Sequence, residues 1–172
     1  MEIISSKDNK KIKEARKLLT KKYRKNSYLI EGFHLLEEAL KAGRSIKQIF
    51  VEENKLTKLT EMIGSEKSLT DLSVNLVSKE VLKSLADSES PQGLIAEVTK
   101  IEEVIDFSAA KFLLLENVQD PGNVGTMIRT ADAAGFSAVI LLGETADIYS
   151  PKVMRSMQGS NFHLPLVRMA KE

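Results

Sequence analysis

The chain has no cysteine and no tryptophan, only two histidines and four prolines, and aromatic residues fill just 5% of its 172 positions. Each shortage excludes something. Without cysteine there are no disulfides, no thiolate metal ligands and no thiol nucleophile, which suits a cytoplasmic protein. His34 and His163 stand far apart, no metal-ligand spacing surrounds either, and no metal is expected. No apolar run reaches 18 residues, so no membrane span is predicted. The first residues lack an apolar stretch ahead of a small-residue cleavage site, so no signal peptide is read there. The phosphate-binding patterns G-x-G-x-x-G and G-x-x-x-x-G-K are missing too, which argues against dinucleotide and P-loop sites. No serine, histidine and aspartate constellation can be argued from spacing.

What is present suffices for a folded core. The chain is 42% hydrophobic and 28% charged, and its length suits one large or two small domains. Net charge is only +1, but it is unevenly spread. Residues 1–26 hold ten Lys or Arg against three acids, a net +7 that leaves −6 for the remainder. A segment this basic is a candidate footprint for nucleic acid, and equally the solvated face of an amphipathic helix.

Periodicity gives an alternation of helices and strands. Caps at Ser6 to Asn9 precede a helix over 10–19 with Ile12, Ala15, Leu18 and Leu19 on one face. Tyr28–Ile30 reads as a short strand, then a helix spans 33–42 and stops at Gly43. Ile46–Val51 is a second strand. Residues 52–72 read as a helix carrying Leu56, Leu59 and Ile63, followed by a loop. Asn75–Val77 is a third strand, Ser78 caps a helix with Val81, Leu82 and Leu85, and Gly93–Val98 returns as a fourth strand. That alternation predicts a compact α/β layer structure. The polar stretch 99–110 marks a boundary, dividing the chain into domains 1–104 and 105–172.

The second domain opens on the most informative stretch. Phe112–Leu115 and the run from Phe136 to Leu142, which ends in Gly143, are apolar stretches, as strands buried on both faces would be. Between them Pro121-Gly122-Asn123 supplies a turn, with Asn123 as helix N-cap. Val124, Met127, Ile128 and Ala131 form one apolar stripe, and Gly135 ends the helix. Strand, helix and strand make a βαβ unit. Glu116, Asn117, Asp120 and Asn123 fall at the carboxyl ends of its strands, where open α/β sheets bind ligands. Arg129 points about 150° from the stripe, at 100° per residue. A guanidinium near a helix start suits a phosphate or a developing oxyanion; a solvated arginine beside an ordinary Pro-Gly-Asn turn fits the same spacing. Further on, Ser150-Pro151 starts a short helix that stops at Gly159. Residues 161–167 read as another strand in which His163 is structural.

These residues carry a resemblance. Asp120 to Gly125 followed by Ile128 to Asp132 is similar to the first motif of the SpoU (TrmH-type) RNA ribose 2′-O-methyltransferases of the SPOUT superfamily. Tyr149 to Ser156 with Gly159 resembles the family's next segment. Ser6–Lys13, Leu29–Gly32 with Glu38–Leu40, and Pro91–Ala96 resemble the L30e-like substrate-binding domain that precedes it in many members. The resemblance implies an N-terminal L30e-like α/β/α domain followed by part of a Rossmann-like SPOUT α/β-knot domain. It also implies a homodimer that methylates ribose 2′-oxygens of RNA, by preference large-subunit (23S) ribosomal RNA, with S-adenosylmethionine as donor. Carried across residue by residue, Asn123 and Arg129 become the catalytic pair. Lys10, Lys11, Arg24, Glu31, Arg155 and Ser156 become RNA-binding residues. An arginine credited with activating the 2′-hydroxyl conflicts, as a literal base, with how firmly a guanidinium holds its protons. Electrostatic support of a developing alkoxide is the expected role instead.

The family's second and third motifs, which hold the methyl donor, would fall beyond Glu172. The expectation is therefore that these 172 residues bind the donor poorly or not at all. The rival readings are a catalytically inactive RNA-binding module and a different Rossmann-like nucleotide binder. Missing glycine fingerprints count against the latter.

Overall fold

The computed structural model describes residues 2–64, 71–108 and 111–170. The chain separates into two compact units, Met1–Lys100 and Ile101–Glu172. The expected boundary after residue 104 lies in the stretch 101–106, which has no regular structure.

Unit 1 is built on four strands, β1 (Ser27–Glu31), β2 (Ile46–Glu52), β3 (Val74–Val77) and β4 (Leu94–Thr99). They lie in the order β1-β4-β2-β3. β4 pairs antiparallel with both neighbours, and β2 with β3 is parallel. Four helices accompany them: α1 (Lys10–Lys17), α2 (Phe33–Lys41), α3 (Leu56–Ile63) and α4 (Lys79–Leu85). Ile12, Ala15 and Leu18 from α1 and its end meet Val81, Leu82 and Leu85 of α4 over Leu29, Phe50, Val77 and Ile95 of the sheet. The alternate strand residues Ile30, Ile49, Val51, Leu94 and Ala96 are equally buried, so both faces of this sheet are covered. Caps sit where the side-chain chemistry calls for them. Asn9 Oδ1 accepts from Lys11 N, and Ser78 Oγ accepts from Val81 N. The loop read between residues 63 and 72 falls partly on 65–70, outside the described residues.

Unit 2 contains β5 (Phe112–Glu116), α5 (Pro121–Ala133), β6 (Ala138–Leu142), α6 (Pro151–Met157) and β7 (Leu166–Arg168). The sheet order is β5-β6-β7, all parallel. α5 and α6 pack against each other. Gly135, in the left-handed region at φ 71°, ends α5 as its sequence position requires.

Three expectations for unit 2 need correction. Asn123 is not the N-cap of α5. Asp120 is, with Pro121 at the first helical position and Asn123 two residues inside. Proline is pre-organised for that first position, which puts the cap one residue before it. β5 is not buried on both faces: Leu114 is 56% exposed and Glu116 is exposed beside it, whereas Leu115 on the opposite face is buried, so one face of this strand is left uncovered. Residues 161–167 are not one strand. Gly159, at φ 89°, leads into a 3-10 turn over Ser160–Phe162, and pairing begins only after Pro165, which has no N–H to give a ladder.

Candidate active site

α5 presents its two faces as different chemistry. Val124, Ile128 and Ala131 are buried, whereas Asn123 and Arg129 are exposed. The Asn123 backbone N–H is spent on Asp120 Oδ2 at 2.7 Å, which fixes the first turn and leaves the carboxamide outside it. Arg129 makes no hydrogen bond or ion pair among the described residues. Asp132, one turn on, is the acid within pairing reach along the helix. Its Oδ2 lies 2.8 Å from His163 Nδ1. His163, read as structural, thus contacts the one acid that lies within a turn of Arg129 along α5.

α6 approaches α5 through small residues. Ser156 Oγ donates to the Gly122 carbonyl at 3.0 Å. A Cβ placed on Gly125 would stand 2.3 Å from Ser156 Cβ and 2.9 Å from its backbone carbon. Gly122, Gly125 and Arg129 follow one another along a single stripe of α5 at 100° per residue. The stripe that seats α6 therefore continues into Arg129. Ser156, taken from sequence as an RNA-side residue, makes this helix contact, and Arg155 beside it is half-buried.

At the carboxyl ends of β5 and β6 the polar groups close on one another. Asn117, held at φ 55°, accepts the Glu144 N–H on Oδ1 at 2.9 Å. The Thr145 hydroxyl lies 2.8 Å from the carbonyls of both Leu115 and Leu142, and accepts from Val118 N at 3.3 Å. Arg168 donates to the carbonyls of Gly143, Thr145 and Ala146. Thr145 and Arg168 gave no sequence signal; their role comes from loop carbonyls that only the fold brings together.

In unit 1, Lys10 and Lys11 line a cavity of ≈ 630 Å³ with Ile4, Asn9, Asn75 and Leu76. Lys11 Nζ donates to Asn75 Oδ1 at 2.8 Å. Glu31 accepts from Ser88 Oγ at 2.8 Å and Gln92 N at 3.3 Å, tying the 88–92 turn to the end of β1. Arg24 is buried, and its Nη1 donates to the Leu18 carbonyl at 2.9 Å. Lys10 and Lys11 thus face one cavity, while Arg24 and Glu31 each brace backbone elsewhere in the unit.

Comparison with known proteins bears on both units. Residues 9–96 match the MRM3-like substrate binding domain, and residues 110–171 match the SpoU rRNA Methylase family. The 23S rRNA (guanosine(2553)-2'-O)-methyltransferase RlmP of Bacillus subtilis is 44% identical over 98% of this chain and 65% of its own length. Human mitochondrial rRNA methyltransferase 3 is 33% identical over 81% of this chain and 34% of its own length. An AdoMet-bound rRNA methyltransferase from Sinorhizobium meliloti superposes with a TM-score of 0.83 at 29% identity, covering 99% of this chain and 65% of that one. The SpoU methyltransferase AviRb of Streptomyces viridochromogenes, solved with AdoMet, gives 0.78 at 25% identity over 95% of this chain and 64% of that one. The chain spans at most 65% of the length of the curated relatives named here.

A seat for AdoMet needs partners for an adenine and an aminocarboxylate. Asn117, Thr145 and Arg168 are committed to neighbouring backbone. Those three side chains are therefore not free to hold the donor.

Proposed function

The chain belongs to the SpoU rRNA methylase family, and on that premise we propose that it serves an S-adenosylmethionine-dependent RNA 2′-O-ribose methyltransferase acting on large-subunit (23S) ribosomal RNA. In this reading residues 1–104 form the substrate-binding domain and 105–172 belong to the methyltransferase domain. The protein works in the cytoplasm as a homodimer. The observation that carries the reading is the match of both units, in order, to a 23S rRNA 2′-O-methyltransferase over 98% of the chain.

The methyl donor supplies an activated methyl group, and no residue described here is assigned to holding it. What this chain contributes lies on the RNA side. Arg129 is exposed and uncommitted on a helix fixed by Asp120 and Ser156. A guanidinium is too weak a proton acceptor to take the proton of a 2′-hydroxyl. It can hold a phosphate through two N–H groups and stabilise the negative charge that grows on the 2′-oxygen. Asn123, near the start of the same helix, has a carboxamide that can donate to or accept from the ribose.

The test is transfer of label from methyl-tritiated S-adenosylmethionine to 23S rRNA by the protein that carries this chain, with the product mapped as a 2′-O-methyl nucleotide. Arg129→Ala is expected to lower turnover by about 10²–10³, the usual cost of one lost oxyanion donor. Arg129→Lys keeps the charge and loses the planar fork, and should recover only part. Near-normal turnover of Arg129→Lys would remove the bidentate role. RNA binding without any transfer would support an inactive RNA-binding module instead.

A further inference from the structure

Unit 1 contains four aromatic residues, Tyr23, Tyr28, Phe33 and Phe50. Three of them are at most 8% exposed; Tyr23 is 45% exposed. It closes the 3-10 turn Lys21–Tyr23 inside residues 16–26, a stretch with six cations and no acid. Lys22 Nζ lies 4.9 Å from the centre of the Tyr23 ring. Lys21 and Lys25 are exposed and form no ion pair among the described residues. The turn beneath the ring is held firmly. Arg24 N donates to the Lys21 carbonyl at 3.0 Å, and the buried Arg24 side chain reaches back to Leu18 O. A flat apolar ring is thus presented from fixed backbone in the most basic part of the chain.

We infer that Tyr23 is a stacking platform for one unpaired base of the RNA, with Lys21, Lys22 and Lys25 taking the flanking phosphates; this rests on the RNA-substrate reading above. Lysines alone bind any phosphate chain, paired or not, and lose affinity steeply with salt. An aromatic face adds a contact that salt barely touches and that is open only to a base free of its helix. Bases inside a duplex are stacked on both sides and have no face to give. Unit 1 therefore prefers a loop or bulge to a continuous helix, and Tyr23 supplies the preference.

The experiment uses the full chain with a labelled RNA hairpin carrying an unpaired loop, a fully paired duplex of the same length, and polyglutamate as an acidic-protein probe. Affinities of the parent, Tyr23→Ala and Tyr23→Phe are measured over a salt series. Far-UV circular dichroism checks that each is folded, as expected for an exposed position. Tyr23→Ala should weaken hairpin binding about ten-fold, within the range of a lost base stack, and leave the salt slope unchanged. Duplex binding should move by less than about two-fold, and Tyr23→Phe should match the parent, because the ring and not the hydroxyl makes the stack. The inference is overturned if Tyr23→Ala binds the hairpin like the parent, if hairpin and duplex lose equally, or if phenylalanine is as damaging as alanine. Tyr23-dependent binding of polyglutamate as tight as the hairpin would overturn it in favour of an acidic protein partner. A parent that binds neither RNA removes the substrate reading and this inference together. A parent that binds RNA regardless of Tyr23 removes this inference alone.

Discussion

Arg129 has one acidic residue within a turn along its own helix, and His163 already holds it at 2.8 Å. An i,i+3 pair on an exposed helix is worth only about 0.2–0.5 kcal/mol, so losing the histidine should divert Arg129 modestly. His163→Ala is therefore expected to lower Arg129-dependent RNA affinity or turnover by about two-fold, corresponding to that pair energy. Adding Asp132→Asn to His163→Ala should restore it, because the competing charge is gone. His163→Asn, which keeps a donor, should stay near the parent. No recovery in the double variant would show that His163 acts through packing and not through Asp132. This arrangement was hidden in the sequence for a simple reason. Asp132 and His163 are 31 positions apart, and the expected strand over 161–167 placed the histidine in a sheet. By contrast, the exposure of Arg129 was legible, since helical period sets it on the face opposite the apolar stripe.

At the scale of elements, local chemistry decided most boundaries. Asn9, Ser78 and Ser150 cap the helices they precede, and Pro151 stands at the first helical position. The start of α5 was misread because Asn123 and Asp120 are both good caps, and only the proline between them discriminates. What sequence could not give is the contact between α5 and α6, since a glycine inside a helix does not announce its neighbour. Gly125→Ala tests that contact by sign. Helix propensity alone would stabilise α5 by about 1 kcal/mol. The added methyl instead meets Ser156 at 2.3 Å and its backbone at 2.9 Å, so the helices must part. A net loss of about 1–3 kcal/mol, seen as a lower melting temperature, is expected from such overpacking. Ser156→Gly in that background should recover part only, because the backbone carbon remains. A Gly125→Ala variant more stable than the parent would show that α6 yields freely.

The unit 1 sheet carries a second device at this scale. Glu97 is 5% exposed in the central strand β4. Ser27 Oγ donates to it at 2.6 Å, Lys47 Nζ at 2.8 Å and Gln48 Nε2 at 2.7 Å. Burial pushes its carboxyl up, but the hydrogen bonds from Lys47, Ser27 and Gln48 and the Lys47 charge outweigh this and hold it below the usual carboxylate range. Folded unit 1 thus binds this proton less readily than the unfolded chain. The contribution is complete above the ordinary carboxylate range and disappears as pH falls through the lower folded value. Denaturant titrations from neutral pH downward should show unit 1 losing stability under acid, and Glu97→Gln should flatten that dependence while lowering stability at neutral pH. An unchanged acid slope in Glu97→Gln would assign the acid sensitivity to other groups.

For the molecule as a whole, near-neutrality conceals a division: +7 in residues 1–26 against −6 in the remainder. The sequence disclosed that division, but not which cations are free to act. Lys13 is paired with Asp8 at 3.1 Å, Lys17 with Glu14 at 2.8 Å, and Lys11 is bound to Asn75. Lys10, Lys21 and Lys25 have no such partner among the described residues. An uncommitted lysine can neutralise a phosphate and release its counterion, whereas a paired one must first give up its acid. RNA affinity should therefore fall steeply with salt, and each of Lys10→Ala, Lys21→Ala and Lys25→Ala should reduce the slope of log K against log salt by about 0.7, the value for one phosphate of a single strand. Lys13→Ala and Lys17→Ala should change it less, since each also frees an acid that repels RNA. Equal slopes across both groups would mean that overall field, and not the pairing seen in α1, governs how this chain meets RNA.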